Sequence, residues 1–143
     1  MCIRDRILTL ASLVEKEGIT KEDRQKIAQV FYTRLSINMP LGSDISTYYG
    51  VHKSMRDGEL TFQDIYNVNP YNTRLTDGQM NGKLPIGPVD NASLDAIWAT
   101  LHKTETNYIY FIANTCTKEV FFFEDYNGFL QKGSELRSIC ETN

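Results

Sequence analysis

The sequence predicts an α+β fold: N-terminal helices, a long shaped loop, then a further helix and a β-hairpin. Three observations lead there. Apolar residues recur at helical spacing in two runs near the start, over 7–17 and 21–36. The stretch 69–91 is rich in Pro, Gly and Asn and has no periodicity. Two runs of aromatic and β-branched residues, "NYIYFIAN" (107–114) and "EVFFFE" (119–124), flank the short "TCTK".

The elements follow in order. A first helix is expected from Ile7 to Glu17, because Ile7, Leu10, Ala11 and Val14 repeat at i, i+3, i+4, i+7. Gly18 stops it. Thr20 with Asp23 resembles a capping box and opens a second helix to Ser36, with Ile27, Val30, Phe31 and Leu35 inward. "NMPLGSD" (38–44) and "TYYG" (47–50) read as loop and short extended segments. "LTFQDIYN" (60–67) reads as a short helix capped by Thr61. Asn91 or Ser93 caps a third long helix, with Leu94, Ile97, Trp98 and Leu101 expected inward. The two β-type runs pair as a hairpin, and a short helix from about Asp125 closes the domain.

A length of 143 residues suits one domain with a real core, assigned to 7–143; residues 1–6, "MCIRDR", are left as an unassigned leader without an apolar h-region. The net charge of −3, with no run of Lys and Arg, argues against a nucleic-acid surface. Cys2, Cys116 and Cys140 have no metal spacing, and an odd count argues against a disulfide framework. Free thiols are expected, with Cys116–Cys140 the alternative pairing. His52 and His102 lie far apart, so neither a metal nor a cofactor is expected. No apolar stretch reaches the roughly 20 residues of a membrane span.

The segment "ASLVEKEG" (11–18) places two glutamates at the end of an apolar run. At about 100° per residue, Glu17 falls about 60° from Val14, at the edge of the apolar stripe; Glu15 falls about 100° away, on its flank. Residues at i and i+2 do not face each other on a helix, so the two cannot act as a close pair. Glu17 meets apolar neighbours in the last turn, where the macrodipole disfavours an anion. Both effects raise a carboxyl pKa and favour a general acid. A solvated helix end is the alternative. Glu15 is expected to support the structure by accepting hydrogen bonds from the second helix or Arg24.

"ASLVEKE", "FYTRL" (31–35), "MPLGSD" (39–44), "TYYG" (47–50), "NPYNT" (69–73), "LPIGP" (84–88), "NASLDAIWATLH" (91–102) and "YIYFIAN" (108–114) come in the order and spacing of a known family. Over roughly residues 7–130 the chain resembles the YceG-like endolytic murein transglycosylases, the MltG family. The resemblance implies cleavage between N-acetylmuramic acid and N-acetylglucosamine in peptidoglycan, giving 1,6-anhydro ends. One glutamate serves as acid and then base, and it maps onto Glu17. Ser43 and Asp44 follow the family's loop and are expected to line the glycan cleft, with a capping turn as the alternative. Tyr71, Asn72 and Thr73 match its Y-N-T block and are expected to meet sugar, with a pinned loop as the alternative. Arg34 is read as structural. Phe121, Phe122 and Phe123 alternate along a strand, so at least one is expected to face outward, for packing or partner contact.

The chain departs from the family pattern at Gly42, where Gln is typical, at Gly18, where Thr is frequent, and at Ile86, where a second proline is common. "PVDNAS" is also shorter than in many members. The family's N-terminal membrane helix and LysM-like region have no counterpart here. The implied partners are glycan strands and cell-wall synthesis enzymes, and the implied place is the outer side of the bacterial cytoplasmic membrane. Two other readings stand beside this one: a muramidase-type hydrolase using a second carboxylate such as Asp44, and a peptidoglycan-binding or scaffold domain without turnover.

Overall fold

Helix α1 (Ile3–Glu17) is buried through its central turns. Thr9, Leu10, Ala11, Ser12, Leu13 and Val14 in succession are inaccessible to solvent. A helix covered on all sides is a core spine rather than a surface helix. A computed structural model describes residues 1–141 of the chain, with side chains to residue 137. Residues 3–6, expected as a leader, already belong to α1.

Around this spine lie α2 (Lys21–Ser36) and α5 (Leu94–Leu101), both packed on α1 and on each other. Thr20 caps α2 as expected, accepting from the Asp23 N–H at 3.1 Å. The core joins Leu10, Leu13 and Val14 to Ile27, Ala28 and Phe31, and to Leu41, Ile45 and Val89 from the loops and α3. Beyond α2 come α3 (Asp44–Gly50), a 3₁₀ turn (Met55–Asp57) and α4 (Phe62–Ile65), which Thr61 caps as expected. Strands β1 (Tyr110–Ala113) and β2 (Val120–Phe123) form the antiparallel hairpin, with Phe111 opposite Phe122. Helix α6 (Tyr126–Glu141) packs on the hairpin. Among the described residues no helix is long and apolar enough to cross a membrane.

The α+β class stands as expected, but four expectations are corrected. Residues 44–50 form a helix, not an extended segment. The hydroxyls of Ser46 and Thr47 donate to the Ser43 carbonyl, and Ile45 turns into the core. Tertiary burial overrides the strand preference of Thr and Tyr there. In α5 the buried face is Ala96, Ala99 and Thr100, whereas Leu94 is 84%, Leu101 55% and Trp98 39% exposed. Small side chains let α5 approach α1 and α2 closely, and helix spacing follows the side chains at the contact. Helix α6 is a long element, not a short cap. Cys116 is disulfide-bonded rather than a free thiol; the Cys140 side chain of the alternative pairing lies outside the described residues.

Both faces of the hairpin are covered. Phe111 and Phe122 pack toward the core. On the opposite face Gly128 and Gly133 of α6 bring that helix against Phe123 and Ile112. Phe121 lies under the Lys132 ammonium at 4.2 Å.

Candidate active site

Glu17 is the last residue of α1, and Gly18 closes the helix by donating its N–H to the Val14 carbonyl at 3.1 Å. The buried spine therefore delivers this carboxyl into a wall of protein, leaving it only partial solvent access. Burial pushes its pKa up from 4.5 to about 7. A hydrogen bond from Ser43 pulls the other way, the Asp44 carboxylate adds to the rise, and the Arg34 charge lowers it. Burial wins because a half-desolvated anion loses more hydration than one hydroxyl and a neighbouring charge restore.

Ser43 approaches from the start of α3. Its Oγ donates to Glu17 Oε1 at 2.9 Å. Ser43 occupies the N-cap position of α3, yet its hydroxyl caps nothing. A capping bond worth about 1 kcal/mol is forgone. The backbone around it is held firmly instead: its N–H donates to Thr73 Oγ1 at 2.9 Å, and its carbonyl accepts from Ser46 and Thr47.

Asn72 and Thr73 explain that rigidity. Both have no exposed surface. Asn72 Nδ2 donates to the carbonyls of Ile65 and Asn67 at 2.9 and 2.8 Å, and its Oδ1 accepts from Thr47 at 2.9 Å. Thr73 Oγ1 also meets Ser46 Oγ at 2.8 Å. Their polar atoms thus meet protein, and they hold the Ser43 loop from behind. Tyr71 is half-buried, its ring 4.9 Å from that of Tyr49. Asp44 is exposed and ion-paired with Arg74.

The other wall comes from α2 and β1, and Arg34 joins them. Nε of Arg34 donates to the Ile109 carbonyl at 2.8 Å and Nη1 to the Leu41 carbonyl at 2.6 Å. One buried guanidinium thus ties both the hairpin and the 39–43 loop to the end of α2. Its position was legible in sequence: Arg34 follows Val30 and Phe31 at i+4 and i+3, so it shares their buried face. A cation on an apolar face was the signal, and the structural reading of Arg34 missed that its charge reaches Glu17.

Glu15 is held by neighbours on two sides. Its Oε1 accepts from Arg24 at 3.4 Å, and its Oε2 accepts from the Ser93 N–H at 3.2 Å and from the Ser93 hydroxyl. The bonds from Ser93 hold its carboxyl below the usual range. The two glutamates are therefore pushed in opposite directions, although two positions apart: one is locked as an anion and the other is kept near neutrality. Pairs of carboxyls whose environments push their pKa values apart are where acid and base roles can divide.

Two surface hollows, of about 360 and 410 Å³, are lined by Ile19, Lys21, Arg24, Asp95 and Trp98, and by Glu15, Lys16 and residues 90–93. Neither includes Glu17. The candidate site is the Glu17 carboxyl with the Ser43 hydroxyl on one side and the Arg34 charge within reach. No group of metal-ligating side chains occurs among the described residues.

The profile of the YceG-like family matches residues 3–135. The chain is 40% identical over 118 residues to the endolytic murein transglycosylase of Bacillus subtilis, covering 81% of this chain and 30% of that protein. It is 40% identical over 121 residues to the endolytic murein transglycosylase of Streptococcus pneumoniae, covering 82% of this chain and 21% of that protein. The solved structure of a YceG-like protein from Listeria monocytogenes superposes with a TM-score of 0.78 at 33% identity, over 89% of this chain and 39% of that one. The chain spans less than a third of the length of those two named relatives. It belongs to the YceG-like family.

Proposed function

We propose that this chain carries the catalytic site of an endolytic lytic transglycosylase acting on peptidoglycan, with Glu17 as its single acid and base. The observation that supports the reading is the Glu17 carboxyl itself: raised to about 7, bonded to Ser43 and within reach of the Arg34 charge. An acid with that pKa is about half protonated at neutral pH and can both give and take a proton.

The steps balance on that one group. Protonated Glu17 gives its proton to the oxygen linking N-acetylmuramic acid to N-acetylglucosamine, and the bond from muramic C1 to that oxygen breaks. The resulting carboxylate takes the proton of the muramic C6 hydroxyl as that oxygen bonds to C1. The products are a 1,6-anhydro-muramic end and a new N-acetylglucosamine end. Glu17 is protonated again, and no water is consumed. A glycoside hydrolase needs a second carboxylate for its water or its covalent intermediate. Asp44 is the nearby candidate, and its pairing with Arg74 engages it elsewhere.

In this reading the substrate is the glycan strand, the partners are the enzymes that synthesise it, and the site of action is the outer side of the bacterial cytoplasmic membrane. Mass spectrometry of purified sacculi after incubation tests it. Anhydro-muramic ends from the chain and none from Glu17→Gln are expected. Reducing muramic ends would replace the reading with a hydrolase. No new ends from the folded chain would favour a binding domain.

A further inference from the structure

The wall on the Arg34 side of Glu17 is aromatic, and it reaches solvent. The Tyr110 ring lies 5.4 Å from the Arg34 guanidinium carbon. It lies 5.6 Å from the Tyr126 ring and 5.5 Å from that of Phe129, and those two are 6.0 Å apart. Tyr110 and Phe129 are half-buried, whereas Tyr126 is 54% exposed. The series runs from Arg34, whose charge acts on Glu17, through Tyr110 to an exposed ring at the start of α6.

An exposed tyrosine is by itself ordinary. Here it is backed by two rings that fix its position, so little side-chain freedom is lost when something lies against it. A pyranose unit presents a flat face of C–H groups and a rim of hydroxyls. An aromatic ring with a polar edge matches both. Trp98, another partly exposed ring, is closed on two sides: the Lys21 ammonium sits 4.1 Å from its centroid and the His102 ring stacks 4.3 Å away at 15°.

We propose that Tyr126, supported by Tyr110 and Phe129, forms a saccharide subsite flanking Glu17 that holds one pyranose unit of the glycan strand. This rests on the reading of the chain as glycan-cleaving, and it adds a position that holds the strand beside the reacting bond. Phe129 and Tyr110 set the ring, and Tyr126 makes the contact.

The test uses the Glu17→Gln chain, so that no turnover occurs. The probe is a soluble, peptide-free oligosaccharide of alternating N-acetylglucosamine and N-acetylmuramic acid, followed by titration calorimetry. Adding Tyr126→Ala should weaken binding about tenfold, the loss of one aromatic contact. Adding Tyr126→Phe keeps the ring and should stay within about twofold of the parent. Leu94→Ala, at an exposed position on α5, should leave affinity unchanged. Unchanged affinity in the Tyr126→Ala chain overturns the subsite and leaves the glycan reading standing. No binding by the Glu17→Gln parent overturns both. If Tyr126→Ala does not fold, the Tyr126 ring resonances of the parent decide: a shift on titration supports the subsite, and none overturns it.

Discussion

Glu17→Gln should make the protein more stable at alkaline pH while removing its proposed chemistry. The unfolded carboxyl titrates at 4.5 and the folded one at about 7. Between those values the folded state keeps a proton that the unfolded state has released. Stability from this group is therefore complete below about pH 4.5, falls as pH rises, and levels off above about pH 7. The full interval corresponds to about 3 kcal/mol, and the partial solvent access of Glu17 brings it to about 2–3. Glutamine does not titrate, still accepts from Ser43 and removes this term.

Urea denaturation of both proteins at pH 4.5 and pH 8.5 isolates the effect. Every other group titrates alike in the two, so the difference between their pH dependences belongs to position 17. The variant should gain about 2–3 kcal/mol on the parent between the two pH values, or roughly 6–12 °C in Tm for a domain of this size. Any fixed cost of burying the amide cancels in that comparison. Parallel pH dependences within about 0.5 kcal/mol would refute the argument that Glu17 is an anion held at a cost, because a carboxyl with an ordinary pKa contributes no such slope.

Ser43→Ala removes a bond that favours the ionised form, so the pKa of Glu17 should rise. Activity on sacculi, expected to fall as pH passes about 7 in the parent, should keep its alkaline limb to higher pH while kcat drops about tenfold through lost orientation of the carboxyl; an unmoved limb would show that the hydroxyl does not act on Glu17. Gly18→Thr should cost about 1–3 kcal/mol in denaturant, as overpacking does. A Cβ there would meet Ile27 Cδ1 at 2.9 Å and Arg24 Cγ at 3.1 Å; an unchanged midpoint would mean that the α1–α2 turn yields freely.

Much of this site was legible because its key carboxyl sits on a helix, where spacing converts to angle. The 60° and 100° positions of Glu17 and Glu15 already separated their environments, about as the structure has them. The spacing also found the Thr20 and Thr61 caps, since a capping bond spans three residues and needs no distant partner. What it missed is long-range. The hydroxyls of Thr73 and Thr47 fix Ser43 and Asn72 from about 30 and 25 residues away in sequence, so the Y-N-T block reads alike whether it faces sugar or holds a loop. Helix α5 misled for another reason: Leu94, Trp98 and Leu101 outweigh Ala96 and Ala99 in any hydrophobic pattern, yet the small residues are the ones that fit between α1 and α2.

Arg34 shows why the candidate acid keeps so high a pKa with a buried cation close by. A guanidinium facing a carboxylate in a bidentate pair would draw its pKa down by about 1–3. In this chain Nε and Nη1 are taken by the Ile109 and Leu41 carbonyls, so the charge acts on Glu17 through space. The bond to Leu41 demands that the 39–43 loop run close against the guanidinium. Gly42 lies there at φ +65, and a Cβ on it would stand 3.2 Å from Nη1. A side chain at that position would be strained in its backbone and crowded by the arginine. Glycine at position 42 therefore suits the loop's own geometry. It lets Leu41 engage Arg34 and brings Ser43 to the Glu17 carboxyl, which keeps a pKa of about 7 without a bidentate ion pair.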